Sequence, residues 1–224
     1  MTCVIVTNRT WYEHLPDMLE GITGHRFILI NQKNDLTYDR LQEIRPRYVF
    51  FLHWSYIVPS EIYENFECVI FHMTDVPFGR GGSPLQNLIA RGVYETKISA
   101  LRCEKDIDAG PVYLKKSFSL HGAAEEIYMR AATVIQAMIA EIIMSEPQPV
   151  AQTGEPVFFP RRKPEDGAIN NLTELEKIYD YIRMLDAEGY PPAYLETDNF
   201  RFEFSRAALK DGHVVADVII KRKA

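Results

Sequence analysis

Short apolar runs rich in β-branched and aromatic residues recur at residues 3–7, 27–31, 48–52 and 67–71, with helical patterns at 13–21 and 36–44 between them. That alternation restricts the fold more than any other feature of the chain. Strands joined through helices run parallel, and parallel strands are buried on both faces, which suits runs this apolar. The pattern predicts an α/β fold built on a parallel sheet. Ligands of such sheets bind outside the carboxyl ends of the strands, so the loops leaving these runs are the places to look for chemistry. The first run is not followed by Gly-x-Gly-x-x-Gly, and Gly-x-x-x-x-Gly-Lys-Ser/Thr is absent. Neither a nicotinamide cofactor nor a P-loop nucleotide is therefore supported.

The fourth run leads into His72 and the loop Met73-Thr74-Asp75-Val76-Pro77-Phe78-Gly79-Arg80-Gly81-Gly82-Ser83-Pro84, which opens into an apolar helix at 85–91. Downstream, Asp106-Ile107-Asp108-Ala109-Gly110-Pro111 forms a turn between strand-like runs at 98–103 and 112–120. A histidine at one strand end and an aspartate at another make an acid/base candidate. Imidazole exchanges protons near neutral pH, and a nearby carboxylate orients it and raises its basicity. Each residue also has an ordinary reading: His72 as a structural histidine, Asp108 as a turn cap. Asp75 and Asp106 compete for the role of partner. Arg80, Gly81, Gly82 and Ser83 read either as an anion-binding loop at a helix N-terminus or as a tight turn before a proline-led helix. The loop Trp54-Ser55-Tyr56-Ile57 after the third run is unusually aromatic. It suits a ligand at a strand end or a surface cover for a helix.

The residues His72, Pro77, Arg80, Gly81 and Pro84, followed by Asp108 and Gly110, resemble the formyltransferase family that takes its formyl group from 10-formyltetrahydrofolate. That family carries His-x-x-x-x-Pro-x-x-Arg-Gly-x-x-Pro and then Asp-x-Gly. Thr96 falls where the family has a threonine. The stretch 159–167 looks like the linker of the sugar-nucleotide N-formyltransferases, and the loop around His72 resembles those of pseudaminic-acid pathways. The resemblance implies a shortened Rossmann-like formyltransferase domain. It implies His72 as general base and proton donor, Asp108 as its partner, and Thr74 as a nearby hydroxyl in the place of a family serine. It also implies a pterin site lined by Trp54, Ser55, Tyr56 and Ile57 and by Asp106 and Ile107. For a nucleotide-linked amino sugar as acceptor, the expected contacts are Arg80, Gly81, Gly82, Ser83, Arg162 and Tyr194. One departure stands out. The family has an asparagine two residues before the histidine, where its amide donates to the oxygen of the tetrahedral intermediate, and this chain has Ile70. Losing one such donor typically costs about 10²–10³ in rate.

Charge bears on the acceptor. The chain carries a formal −6 with a pI of about 5.6 and no basic block that would track a phosphate backbone. That disfavours tRNA and leaves Arg161, Arg162 and Lys163 as a local group able to hold a diphosphate or simply to solvate a linker. Cys3, Cys68 and Cys103 are isolated, without Cys-x-x-Cys, and read as buried reduced thiols of a cytoplasmic protein. No apolar run is read as a membrane span, and the N-terminus reads as a strand, not a signal peptide.

The organisation expected is a catalytic domain over 1–150, a Pro/Gly-rich linker over 151–171 and a helix plus hairpin over 172–224. A long core helix is predicted over 123–145, with Ile127, Ala131, Val134, Ile135, Met138, Ile139, Ile142 and Ile143 on one stripe. A capping box at Thr173 to Glu176 starts the next helix, with Leu175, Ile178, Tyr179, Ile182 and Leu185 inward. Asp211-Gly212 turns a hairpin. Phe200, Phe202 and Phe204 alternate along its first strand, which suits a buried face or a homodimer. Two other functions compete with formyl transfer. A metal-dependent hydrolase would use His53, His72, Asp75 and Asp108. A folate- or nucleotide-sugar-binding protein with weak or no turnover would follow from Ile70.

Overall fold

A computed structural model of the chain describes residues 1–223. Its strands are β1 Thr2–Val6, β2 Arg26–Ile30, β3 Tyr48–Phe51, β4 Cys68–His72, β5 Phe78–Gly81, β6 Glu95–Arg102, β7 Val112–Ser119, β8 Val157–Phe159, β9 Ala193–Glu196, β10 Phe200–Lys210 and β11 His213–Arg222. The α-helices are α1 Leu15–Thr23, α2 Tyr38–Ile44, α3 Ser60–Tyr63, α4 Pro84–Ala90, α5 Ala124–Ser145 and α6 Leu175–Arg183. The predicted runs and helical patterns thus become strands and helices with ends shifted by one or two residues. The chain divides into two compact units, each interleaved along the sequence.

The first unit comprises Met1–Arg80, Lys97–Phe118 and Arg130–Phe158. Its sheet has the order β2-β1-β3-β4-β6-β7. The first four strands in that order are parallel and β6 runs antiparallel to β4. Burial explains the apolar runs: Cys3, Val4, Ile5 and Val6 of the inner strand β1 are all fully buried. Local chemistry sets the helix ends. The α1 helix has Pro16 in its first turn and stops at Gly24, which takes the left-handed conformation at φ 69°. The Thr37 side chain caps α2 by accepting from the Arg40 N–H. Because β2 and β3 lie on opposite sides of β1, the connections diverge at β1 and β3. The carboxyl ends of those strands form the crevice at which open α/β sheets bind ligands.

The second unit comprises Gly81–Thr96, Ser119–Met129 and Phe159 onward. It holds the antiparallel sheet β11-β10-β9. The expected turn at Asp211-Gly212 joins β10 to β11, and α6 packs on this sheet. Its interior is more polar than the sequence suggested. Arg183 and Asp180 are buried and paired at 2.7 Å, and the Arg183 Nη1 donates to the carbonyls of Leu120 and Gly122. The side chain of Gln86 donates to the Tyr128 hydroxyl and to the Met184 carbonyl.

Three expectations need correction. The capping box at Thr173 does not form: α6 begins at Leu175 after Glu174, with no side-chain cap. Leu175 is consequently exposed, while Ile182 and Leu185 are buried as predicted. The segment 151–171, read only as a linker, contributes β8, which forms a two-stranded ribbon with β5. By length and composition alone, α5 is long and apolar enough to cross a membrane. Its predicted stripe is nonetheless core: Ile127, Ala131, Ile135, Met138, Ile139, Ile142 and Ile143 are buried.

Candidate active site

His72 closes β4, and strand alternation puts it on the same face as Ile70 and Cys68. Ile70 packs against the apolar cluster of Val4, Val6, Val49 and Phe51. The His72 ring is itself buried. Its Nε2 lies 2.7 Å from the Gly79 carbonyl oxygen, and its Nδ1 lies 3.4 Å from Asp108 Oδ2. A carbonyl carries no hydrogen, so Nε2 is the donor toward Gly79. With an acceptor on each side, the ring can be held with hydrogen on both nitrogens, as a base is after it has taken a proton.

The backbone beside this arrangement is unusual at three places. Gly79 turns the loop at φ 80°, and the Val76–Pro77 peptide is cis. Asp108 sits in the left-handed region at φ 53°, which aspartate tolerates better than most residues. Two residues on, Gly110 has no room for a side chain: a Cβ there would lie 1.9 Å from the Arg102 carbonyl oxygen. This close approach gives the Asp-x-Gly pattern a steric cause.

Of the competing carboxylates, Asp75 is held elsewhere. Asp75 pairs with Lys115 at 2.6 Å and with Lys97 at 2.9 Å. Burial alone would raise its carboxyl pKa, but the hydrogen bonds and charges of the two lysines outweigh that and hold it below the usual range. The Asp106 carbonyl accepts from the Ala109 N–H, closing the turn that presents Asp108. Thr74 is fully buried, and its hydroxyl donates to the same Gly79 carbonyl at 3.3 Å. The Thr74 carbonyl accepts from Ser99 Oγ at 2.7 Å. Cys103, nearby in the sequence, is pushed up to about 11 by burial and by the charges of Asp108 and Glu104, so its thiol keeps its proton.

The aromatic loop lies at the β1/β3 crevice. Asn8, just after β1, bonds Ser55 through Nδ2 at 3.2 Å. Trp54 and Tyr56 meet edge to face at 5.1 Å, and Lys33 lies over the Tyr56 ring. The Trp54 indole N–H is buried without a hydrogen-bond partner. Ile57 is 86% exposed and Ile107 63%, while Tyr56 is also exposed. Exposed large apolar side chains and an unsatisfied indole donor in the loop 54–57 suit a flat heteroaromatic ligand. His53, in contrast, packs edge to face on Trp11, and burial followed by the charge of Arg9 lowers it to about 3. Among the described residues, no group of His, Cys, Asp and Glu gathers in a way that could hold a metal ion.

The residues expected to meet an acceptor each have partners of their own. Arg80 donates through Nε and Nη2 to Gln152 Oε1 at 3.1 and 2.8 Å. Gly81 and Gly82 are glycines because a Cβ on either would lie 2.6 Å from the segment at Phe159 and Arg161. The Gly82 N–H is donated to the Phe159 carbonyl, and Ser83 Oγ accepts from the Arg162 N–H. The Arg162 guanidinium lies over Tyr181 and bonds the Asp166 carbonyl. Arg201 stacks on Tyr194 at 3.5 Å.

Sequence reasoning missed Gln152. Its amide bonds Arg80 on one side and the carbonyls of Asp108 and Gly110 on the other, each at 2.8 Å. No local pattern flags it, since it lies in a Pro/Gly-rich stretch 44 residues beyond Asp108.

Comparison with known proteins bears on this site. The family profile for the C-terminal domain of methionyl-tRNA formyltransferase matches residues 164–221. A solved structure, a methionyl-tRNA formyltransferase from Clostridium thermocellum, is 47% identical, covers 100% of both chains and superposes with a TM-score of 0.96. A methionyl-tRNA formyltransferase of Thermodesulfovibrio yellowstonii is 27% identical over 201 residues, which are 85% of this chain and 64% of that protein. The chain thus spans just under two thirds of that curated relative's length. A sugar N-formyltransferase from Shewanella sp FDAARGOS_354 shares the fold at a TM-score of 0.68 and 16% identity, over 97% of this chain and 96% of that one. The expected kinship with the sugar-nucleotide branch is corrected here: that branch shares the fold, whereas the 47% relative bears the name of a tRNA formyltransferase.

Proposed function

The chain belongs to the formyltransferase family, and on that premise we propose that it moves a formyl group from 10-formyltetrahydrofolate to an amine. The observation that carries the reading is the buried His72 ring held between the Gly79 carbonyl and the Asp108 carboxylate. In this reading the acceptor amine attacks the formyl carbon, and His72, as the tautomer that keeps its hydrogen on Nδ1 toward Asp108 and has released Gly79, takes the amine's proton at Nε2. The tetrahedral intermediate collapses as the bond to the folate nitrogen breaks, and His72 returns the proton to that leaving nitrogen. Asp108 keeps the ring oriented and balances its charge while it holds the extra proton. Ile70 cannot donate to the intermediate's oxygen, so backbone N–H groups, and the Thr74 hydroxyl once it has released the Gly79 carbonyl, would have to serve. The exposed Tyr56, Ile57 and Ile107 and the unpaired Trp54 N–H would take the pterin.

For the acceptor, the first reading is the methionyl end of a charged tRNA. It is supported by the name of the 47% relative and by the profile match at residues 164–221. The second is a nucleotide-linked amino sugar, favoured by the formal charge of −6 and by the end-to-end correspondence with the Shewanella enzyme. Residues 1–150 would carry the chemistry and 172–224 would serve the acceptor. Three buried cysteines suit the cytoplasm. The test is competition: purified chain, 10-formyltetrahydrofolate, and either methionyl-tRNA or UDP- and TDP-linked amino sugars, with products read by mass. A gain of one formyl group on methionyl-tRNA alone supports the first reading. Formylated sugar nucleotide alone supports the second. No formylated amine in either arm defeats the proposal.

A further inference from the structure

The two groups that hold the His72 ring come from distant parts of the chain, yet one side chain ties them together. Gly79, whose carbonyl faces His72 Nε2, is followed directly by Arg80, and the Arg80 guanidinium donates twice to Gln152 Oε1. Asp108, whose carboxylate faces Nδ1, has its own carbonyl bonded by Gln152 Nε2 at 2.8 Å. The same Nε2 also donates to the Gly110 carbonyl at 2.8 Å. A primary amide has two acceptor sites and two donor hydrogens, so Gln152 is saturated by these four bonds. Donors on one side and acceptors on the other also fix which way the amide faces. Only an uncharged carboxamide offers both functions at one position. Gln152 meets no ring atom of His72 itself, and it acts on the two segments from behind.

We propose that Gln152 is a positioning residue: by clamping Arg80 to the Asp108–Gly110 turn it sets the spacing of the two supports of His72. The inference rests on the reading of His72 as the proton carrier. Its consequence is a specific failure when the amide is altered. In Gln152→Ala both segments lose their tie. Asp108, in its left-handed conformation, is then free to relax. A displacement of about 1 Å at a reacting group can cost roughly 10² in rate. In Gln152→Glu the carboxylate keeps the Arg80 contact and strengthens it as an ion pair, but it sets an oxygen against the Asp108 and Gly110 carbonyls. A clamp that mattered only for folding would be restored by that ion pair, whereas a clamp that places Asp108 would not.

The test uses the full chain with 10-formyltetrahydrofolate and whichever acceptor the wild type formylates. Turnover, folate KM, thermal melting and the imidazole nitrogen signals of His72, assigned through a His72→Ala variant, are recorded for the wild type, Gln152→Ala and Gln152→Glu. The expected result is a kcat lower by about 10- to 100-fold in both variants. The folate KM should change less than threefold, Gln152→Glu should melt no lower than Gln152→Ala, and the His72 signals should shift in both. Recovery of kcat in Gln152→Glu to near wild type, or unshifted His72 signals in both variants, overturns the proposal. Should Gln152→Ala lose its cooperative melt, Gln152→Glu decides alone. If the wild type formylates no amine, the reading of function fails, and the His72 signals still judge whether Gln152 positions the ring.

Discussion

Adding one methyl group at Gly110 should disable the site without substituting any proposed catalytic residue. A Cβ at Gly110 would fall 1.9 Å from the Arg102 carbonyl oxygen, whereas such contacts essentially never come under 3.0 Å. The two segments must therefore separate by about 1 Å. Arg102 lies in β6, paired with Val69 of β4, and it is stiffer than the turn. The turn carrying Asp108 and Gly110 should move instead. The Asp108 carboxylate already stands 3.4 Å from His72 Nδ1, so a shift of that size takes it out of hydrogen-bond reach. Misplacement of about 1 Å can cost roughly 10² in rate, and overpacking costs about 1–3 kcal/mol of stability. Single-turnover formyl transfer with Gly110→Ala should fall by about that factor and match Asp108→Asn, with the melt lowered but cooperative. Wild-type turnover in a folded Gly110→Ala would refute the argument that this turn places the catalytic carboxylate.

Other outcomes can be checked with less effort. Arg183→Met leaves Asp180 buried without its partner and should destabilise the chain by about 3–5 kcal/mol in denaturant melts. Much of that should return when Asp180 is also replaced by an apolar residue. His53 titrates at about 3 in the fold and near 6.5 when unfolded, so the unfolded chain binds the extra proton across that window. Stability should fall as the pH drops from about 6.5 toward 3, and His53→Phe should flatten the fall; an unchanged slope contradicts the burial argument. Ile70→Asn puts a carboxamide on the His72 face at the expense of apolar packing against Val4 and Phe51. It should raise turnover while lowering the melting temperature, and a loss of turnover at full folate binding would show that the amide does not reach the reacting oxygen.

Much of the fold was legible because its signals are local. A β-branched run predicts a strand, Asp211-Gly212 predicts a tight turn, and the isoleucine stripe of α5 predicts a core face. The pairing of His72 with Asp108 was legible only because both residues sit at strand ends within recognisable motifs. What stayed hidden depends on packing between distant segments. Nothing in the sequence signalled that Arg183 and Asp180 are buried together, where the guanidinium pairs with the carboxylate and donates to nearby carbonyls. Thr173 matched a capping box, yet the helix starts later and its cap is unused. Arg80 was read as part of an anion-binding loop or a tight turn, and its bond to Gln152 lay outside either reading. Nothing near Gln152 in the chain announces a residue that reaches three backbone and side-chain partners far away. The aromatic loop was identified, but whether its rings cover a helix or wait for a ligand depends on the β1/β3 crevice, which only the strand order reveals.

The central claim is that His72, held by Asp108, moves the proton during formyl transfer. It is tested most directly by the single-turnover rate of formyl transfer from 10-formyltetrahydrofolate to the chain's amine acceptor, in the wild type and in His72→Ala at equal folate occupancy. The rate in the variant should be lower by about 10²–10⁴, with folate affinity nearly unchanged. A His72→Ala protein that transfers formyl at close to the wild-type rate would contradict it.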